Sequence, residues 1–271
     1  MGLIEEALRK SAQQRKGALR ANGAAANPRV ARTAPPPDDQ DIPQYTSAPV
    51  DVDVMQRNRV LPTVADVTVT RAYKILRTRV THRLVANGWH SVGITGTTAG
   101  EGKTLTAVNL AIALAQDVNN WVFLVDLDLQ RPQVGPYLGL HYEYGLTDYL
   151  TGQASIEQIV YDISHPRLAV VPNSRPVENS SELLLSPRMG DFLHFLQTEP
   201  PRRIVVFDLP PLLASDDVLA FSPRVDSFLL VISQGQTARR TLSNAKEVLS
   251  EMNVMGVVLN RSTERNDSPY Y

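Results

Sequence analysis

The chain has 271 residues, 43% of them hydrophobic, enough for one sizeable α/β core with extensions. Its formal net charge of -1 supplies no global field for nucleic acid, so no nucleic-acid partner is expected. The lack of cysteine excludes disulfides, thiol chemistry and thiolate-bound metal and fits a cytoplasmic setting, and no apolar run approaches the ~20 residues that span a bilayer.

In chain order, Met1–Arg20 reads as a short amphipathic helix with Leu3, Ile4, Ala7 and Leu8 on one face. Its scattered charges exclude a signal peptide. Membrane contact is therefore expected to be indirect or through this helix. Residues 21–65 are rich in Ala, Pro, Asp and Arg around Pro35-Pro36-Pro37, and read as a flexible linker. From Asp66 to Ala86 helical spacing returns through Ala72, Ile75, Leu76, Val80 and Leu84, opposite a basic face of Arg71, Lys74, Arg77, Arg79 and Arg83.

An apolar strand, Val92–Ile94, then breaks into a glycine-rich turn that closes on Gly102-Lys103-Thr104 and opens an Ala/Leu-rich helix. That is the strand, phosphate loop and helix of a nucleoside triphosphatase. Backbone N–H groups at a helix N-terminus face an anion, here expected from Gly100 through Glu101 and Gly102 to Leu105. Lys103 would place a charge on the β/γ-phosphates, and the Thr104 hydroxyl would be a ligand to Mg2+. The strict pattern puts its first glycine at Thr97; Gly96 stands one residue early.

Further strands are expected at Trp121–Asp126, Leu168–Pro172, Arg203–Asp208, Asp226–Ser233 and Val254–Leu259. Helices are expected near Leu146–Leu150 and Ser155–Val160, after Ser186-Pro187 to about Gln197, and over Thr237–Met252. Such alternation predicts an α/β phosphate-loop fold, a mostly parallel sheet with helices on both faces. Ligands in these sheets collect at the carboxyl ends of the strands, where the loop, Asp126, Asp128 and Asp208 fall. Asp208 ends an apolar strand as an acid that holds Mg2+ does. Asp126 and Asp128, two apart, could address metal and attacking hydroxyl, one of them as general base, or cap a loop through local hydrogen bonds.

These motifs resemble the bacterial tyrosine kinases of capsule and exopolysaccharide loci. The match lies in AGEGKT (Ala99–Thr104), DLDLQRP (Asp126–Pro132), FDLPP (Phe207–Pro211), GLTDYLTG (Gly145–Gly152), Val171–Met189 and GVVLNR (Gly256–Arg261). The opening MGLIEEALRK resembles the exosortase-associated subgroup. The resemblance implies a kinase domain over 66–261 and a mobile tail over 262–271. It implies that Lys103 and Thr104 bind ATP·Mg2+, Asp128 and Asp208 serve the metal, Asp126 is the base, and Asn260 and Arg261 approach the adenine. Tyr270 and Tyr271 would be the phosphoacceptors, modified in a neighbouring copy by self-association. A separate membrane-bound polysaccharide chain-length or export protein would be the activator. Three positions depart from the family: Ala99 for proline, Gln130 for the arginine of D-x-D-x-R, and Arg71 for the acid of E-x-x-R-x-x-R, which closes a ring of subunits. Two alternatives stand beside the kinase. A ParA/MinD-type positioning ATPase would carry a second lysine at Thr98, and a non-catalytic regulator would not need Asp126, Asp128 and Asp208.

Overall fold

The computed structural model describes residues 45–198 and 203–262. The amphipathic helix expected over 1–20, most of the linker, and the tail tyrosines lie outside the described residues. Eight strands form one sheet: β1 (Thr46–Ser47), β2 (Ser91–Gly96), β3 (Trp121–Asp126), β4 (Tyr161–Asp162), β5 (Leu168–Val171), β6 (Arg203–Asp208), β7 (Ser227–Ser233) and β8 (Val254–Asn260). Their order is β1-β4-β5-β3-β6-β2-β7-β8, parallel throughout except for the antiparallel pair β4–β5.

The central strands are apolar at successive positions because both sheet faces are covered. Val92, Ile94, Val122, Leu124, Ile204, Val206, Leu229 and Val231 pack in one core with Ala107, Val108, Leu110, Ala111 and Leu114. The intervening residues face the other way: Phe123 meets Phe195 with ring centroids 6.2 Å apart, and Phe207 meets Phe221 edge-on at 5.3 Å. Two-residue alternation thus divides each strand between two helix layers.

Helices α1 (Val52–Arg57), α2 (Val67–Asn87), α3 (Lys103–Ala115) and α4 (Val134–Leu138) come first in the chain. Next are α5 (Leu146–Leu150), α6 (Ile156–Ile159), α7 (Ser180–Leu185), α8 (Pro187–Thr198), α9 (Asp217–Phe221) and α10 (Arg239–Ser250). Side-chain caps start two of these helices, the second of them at the expected Ser186. The Asp66 side chain accepts from Thr68 N–H to start α2, and Ser186 Oγ accepts from Met189 N–H at 3.2 Å to start α8. Short helices such as α4, α7 and α9 carried too few turns to show a period.

The linker expected over 21–65 is wrong at its C-terminal end. Residues 45–64 form a strap bearing β1 and α1, with Ala48, Met55, Val60 and Leu61 buried in the main core. Asp51 caps α1 by accepting from Asp53 and Val54 N–H. The fully buried Asn109 of α3 holds the strap: its Oδ1 accepts from Leu61 N–H at 2.7 Å and its Nδ2 donates to the Arg59 carbonyl at 3.2 Å. Composition misled because the anchors are four apolar side chains spread among prolines and charges, and their partners are distant in sequence.

Candidate functional site

β2 ends between β6 and β7, so the loop that follows it opens at the centre of the sheet's carboxyl edge. The chain leaves β2 at Gly96 and starts α3 from Gly102, whose φ of 91° is left-handed and favours glycine. A Cβ at Gly96 would lie 2.8 Å from the Val231 carbonyl and would also run into the Glu101 carboxylate. The loop is therefore a backbone cradle, and the first N–H groups of α3 have no intrahelical acceptor. Lys103 is 8% exposed, its stem packed close to Gly96. Thr104 and Leu105 follow in the first turn, both half-buried.

Strand register sets the carboxylates. Asp126 at the end of β3 lies directly opposite Asp208 at the end of β6, and Ile94 of β2 is paired with Asp208 on the other side. Both acids are fully buried. Burial, then the neighbouring Asp208 charge, holds Asp126 well above the usual carboxylate range despite hydrogen bonds from Val134 and Gln133 N–H. Burial also pushes Asp208 up to about 7, opposed by the Thr104 hydroxyl and the Lys103 ammonium. Among the described residues no group meets either oxygen of Asp208 at good hydrogen-bonding distance and angle, although Thr104 lies near enough to lower its pKa. Asp128 is half-buried; burial raises it, while Arg131 N–H, which donates to Oδ1 at 3.0 Å, and Lys103 pull it back.

Asp126 does cap a loop. Its Oδ2 accepts from Gln133 N–H at 3.0 Å and Val134 N–H at 2.9 Å, and its Oδ1 from Asp128 N–H at 3.3 Å. Asp128 is the member of the pair that solvent can reach. Among the described residues no three His, Asp or Glu side chains converge on a metal position. The donor set instead fits a cation shared with phosphate oxygens, as Mg2+ is bound: Thr104, with Asp128 and the unsatisfied carboxylate of Asp208 near it.

Asn260 and Arg261 are beside the cradle rather than open. Asn260 Nδ2 donates to the Glu101 carbonyl at 2.9 Å, and the Arg261 guanidinium donates to Gln236 Oε1. Gln130, which stands in place of the expected arginine, donates to Ser180 Oγ at 2.9 Å, and Ser180 Oγ donates to the buried Asp217 at 2.8 Å. The Asp217 charge in turn helps to raise Asp128. Neither Ser180 nor Asp217 stood out in the sequence, because each lies in a short helix far along the chain.

Fold and cradle together define a phosphate-loop nucleotide-binding protein. Residues 92–270 match the family described as the CobQ/CobB/MinD/ParA nucleotide binding domain. The chain is 33% identical over 218 residues to the tyrosine-protein kinase YwqD of Bacillus subtilis, covering 80% of this chain and 91% of that protein. The kinase domain of the Escherichia coli tyrosine kinase ETK superposes with a TM-score of 0.64 at 27% identity, over 73% of this chain and 77% of that one. Full-length Etk is longer, and the chain spans 28% of it. MinD of Pyrococcus horikoshii, solved with Mg-ADP, shares the fold at 20% identity with a TM-score of 0.54, over 65% of this chain and 72% of that one. The chain belongs to the CobQ/CobB/MinD/ParA nucleotide binding domain family and, within it, to the bacterial tyrosine-protein kinases. The positioning ATPases are only its distant relatives.

Proposed function

We propose that this protein transfers the γ-phosphoryl group of ATP to Tyr270 and Tyr271 in the tail of a second copy, in the control of capsule or exopolysaccharide polymerisation and export. The observation that carries the reading is the meeting of the loop, Asp126, Asp128 and Asp208 at the carboxyl ends of β2, β3 and β6. Backbone N–H groups of Gly100–Leu105 and the Lys103 ammonium bind and orient the phosphates. Thr104, Asp128 and Asp208 would hold Mg2+, which would neutralise charge on the phosphates. Asn260 and Arg261 approach the adenine.

The acceptor hydroxyl must lose a proton as its oxygen bonds to phosphorus. The Asp126–Asp128 pair takes that proton: Asp126 is the more basic through burial, and Asp128 is the one a hydroxyl can touch. The kinase acts in the cytoplasm beside the membrane, activated by a separate membrane-bound polysaccharide chain-length or export protein. Among the described residues no helix is long and apolar enough to cross a membrane. Mass spectrometry after incubation with ATP and Mg2+, with and without cytoplasmic segments of such a partner, tests the reading. Phosphate on Tyr270 or Tyr271 that vanishes in Lys103→Ala is expected. ATP hydrolysis without phosphotyrosine would instead favour a positioning ATPase.

A further inference from the structure

The Glu101 side chain does not face the space above the loop. It turns beneath it, is 1% exposed, and fills the room that glycine at 96 leaves. Its Oε2 accepts from Thr97 N–H at 2.6 Å and Thr98 N–H at 3.0 Å. Its Oε1 accepts from the hydroxyls of Thr97 and Thr237, each at 2.6 Å. Thr237 is 136 residues away, in the turn between β7 and α10, and its own hydroxyl accepts from Ser233 N–H at 3.0 Å. Burial pushes the Glu101 carboxyl up, but hydrogen bonds from Thr237, Thr97 and the two loop N–H groups outweigh it and hold the group below the usual range. A second tie runs from Asn260 Nδ2 at the end of β8 to the Glu101 carbonyl. The loop is thus fastened from below to the ends of the two strands on its β7 side.

We infer that Glu101 and Thr237 are positioning residues for nucleotide binding: the buried carboxylate, anchored by the Thr237 hydroxyl, holds the phosphate loop in its anion-binding shape before nucleotide arrives. The inference rests on the nucleotide site proposed above and adds a role for one side chain and a partner for it. A cradle of backbone N–H groups binds phosphate well only if its conformation is fixed in advance, because ordering it on binding reduces affinity. Three hydrogen bonds from Thr97 and Thr98 to one buried carboxylate fix the turn from residue 97 to 101, and the fourth, from Thr237, couples that turn to the segment after β7. Such a brace acts on the β- and γ-phosphates and not on the base. Its loss should therefore scale with the phosphate chain.

The test is titration calorimetry of the full-length protein with ADP and AMP in Mg2+, for wild type, Glu101→Ala, Glu101→Gln, Thr237→Val and Glu101→Ala/Thr237→Val. Glu101→Ala is expected to weaken ADP about tenfold, and Thr237→Val about threefold to fivefold, with AMP affinity changed less than twofold. Glutamine, which can still accept the two N–H groups through its carbonyl oxygen, should restore most of the loss. The double variant should lose little more than Glu101→Ala, since both changes break one connection. Equal ADP affinity in wild type, Glu101→Ala and Thr237→Val, or an equal loss for ADP and AMP, overturns the inference. If Glu101→Ala does not fold, Thr237→Val carries the same test, with Glu101→Gln as its conservative control. Wild type that binds no ADP at all would overturn the nucleotide reading itself, a result separable from the others.

Discussion

Burial gives Asp208 a proton affinity that sets the direction of one pH response. Its folded pKa is raised to about 7, against about 3.9 for an unfolded aspartate. Between those values the folded chain keeps a proton that the unfolded chain releases, so this contribution to stability declines as pH rises from about 4 to 7 and then levels. Asp126, also raised, adds to the same slope, and Glu101, held low, opposes it at the acid end. In metal- and nucleotide-free protein, Asp208→Asn should flatten the fall in Tm between pH 5 and 7.5 by roughly 3–6 °C, about 1–2 kcal/mol, by calorimetry. The two remaining carboxylates separate by role. Asp128→Asn should cut phosphotyrosine formation by about 100-fold or more while ADP affinity changes only a few-fold. Asp126→Asn should lower transfer as well, at a cost in stability of only about 1 kcal/mol or less, because its amide oxygen can still accept from Gln133 and Val134 N–H and the NH2 then faces only Asp128 N–H, the 3.3 Å contact.

Among elements, α3 joins the site to the rest of the fold. Its first turn carries Lys103 and Thr104, its apolar face packs on the sheet, and Asn109 two turns along grips the strap. Asn109→Ala would remove both hydrogen bonds and leave Leu61 N–H buried without its acceptor. Urea unfolding should show a loss of about 2–3 kcal/mol. The phosphate loop ahead of this helix departs from the strict pattern at Thr97. The hydroxyl and N–H of that residue both serve Glu101, so the loop trades a glycine for a side chain with a partner.

For the whole molecule, phosphorylation of a tail by a neighbouring copy requires encounters between copies. Mixing wild type with an excess of Lys103→Ala should place phosphate on Tyr270 or Tyr271 of the inactive chain, at a rate that rises with total concentration. Phosphate confined to the active chain would exclude transfer in trans. Each phosphate adds nearly two negative charges, which disfavours a tail docked beside Asp126, Asp128 and Asp208. Fully phosphorylated wild type should therefore assemble less than the Tyr270→Phe/Tyr271→Phe variant by light scattering. Arg71 is exposed on α2, at the position where the family pattern has an acid.

Local chemistry alone determined much of this protein. Glycines and Lys103 between an apolar strand and a helix, carboxylates at strand ends, and a serine before Pro187 each act within a few residues, so a linear reading finds them. The parallel sheet was legible for the same reason, since strands buried on both faces must be apolar throughout. Only the tertiary structure decided the rest. The strap over 45–64 is held by Asn109, β1 and β4 are two residues each, and Asp217 reaches Asp128 from a distant short helix. Glu101 reads in sequence as one more residue of the loop; its partner Thr237 arrives from the end of another strand. Such pairings are fixed by strand order and register, and they form only when the sheet has brought the chain's distant segments to one edge.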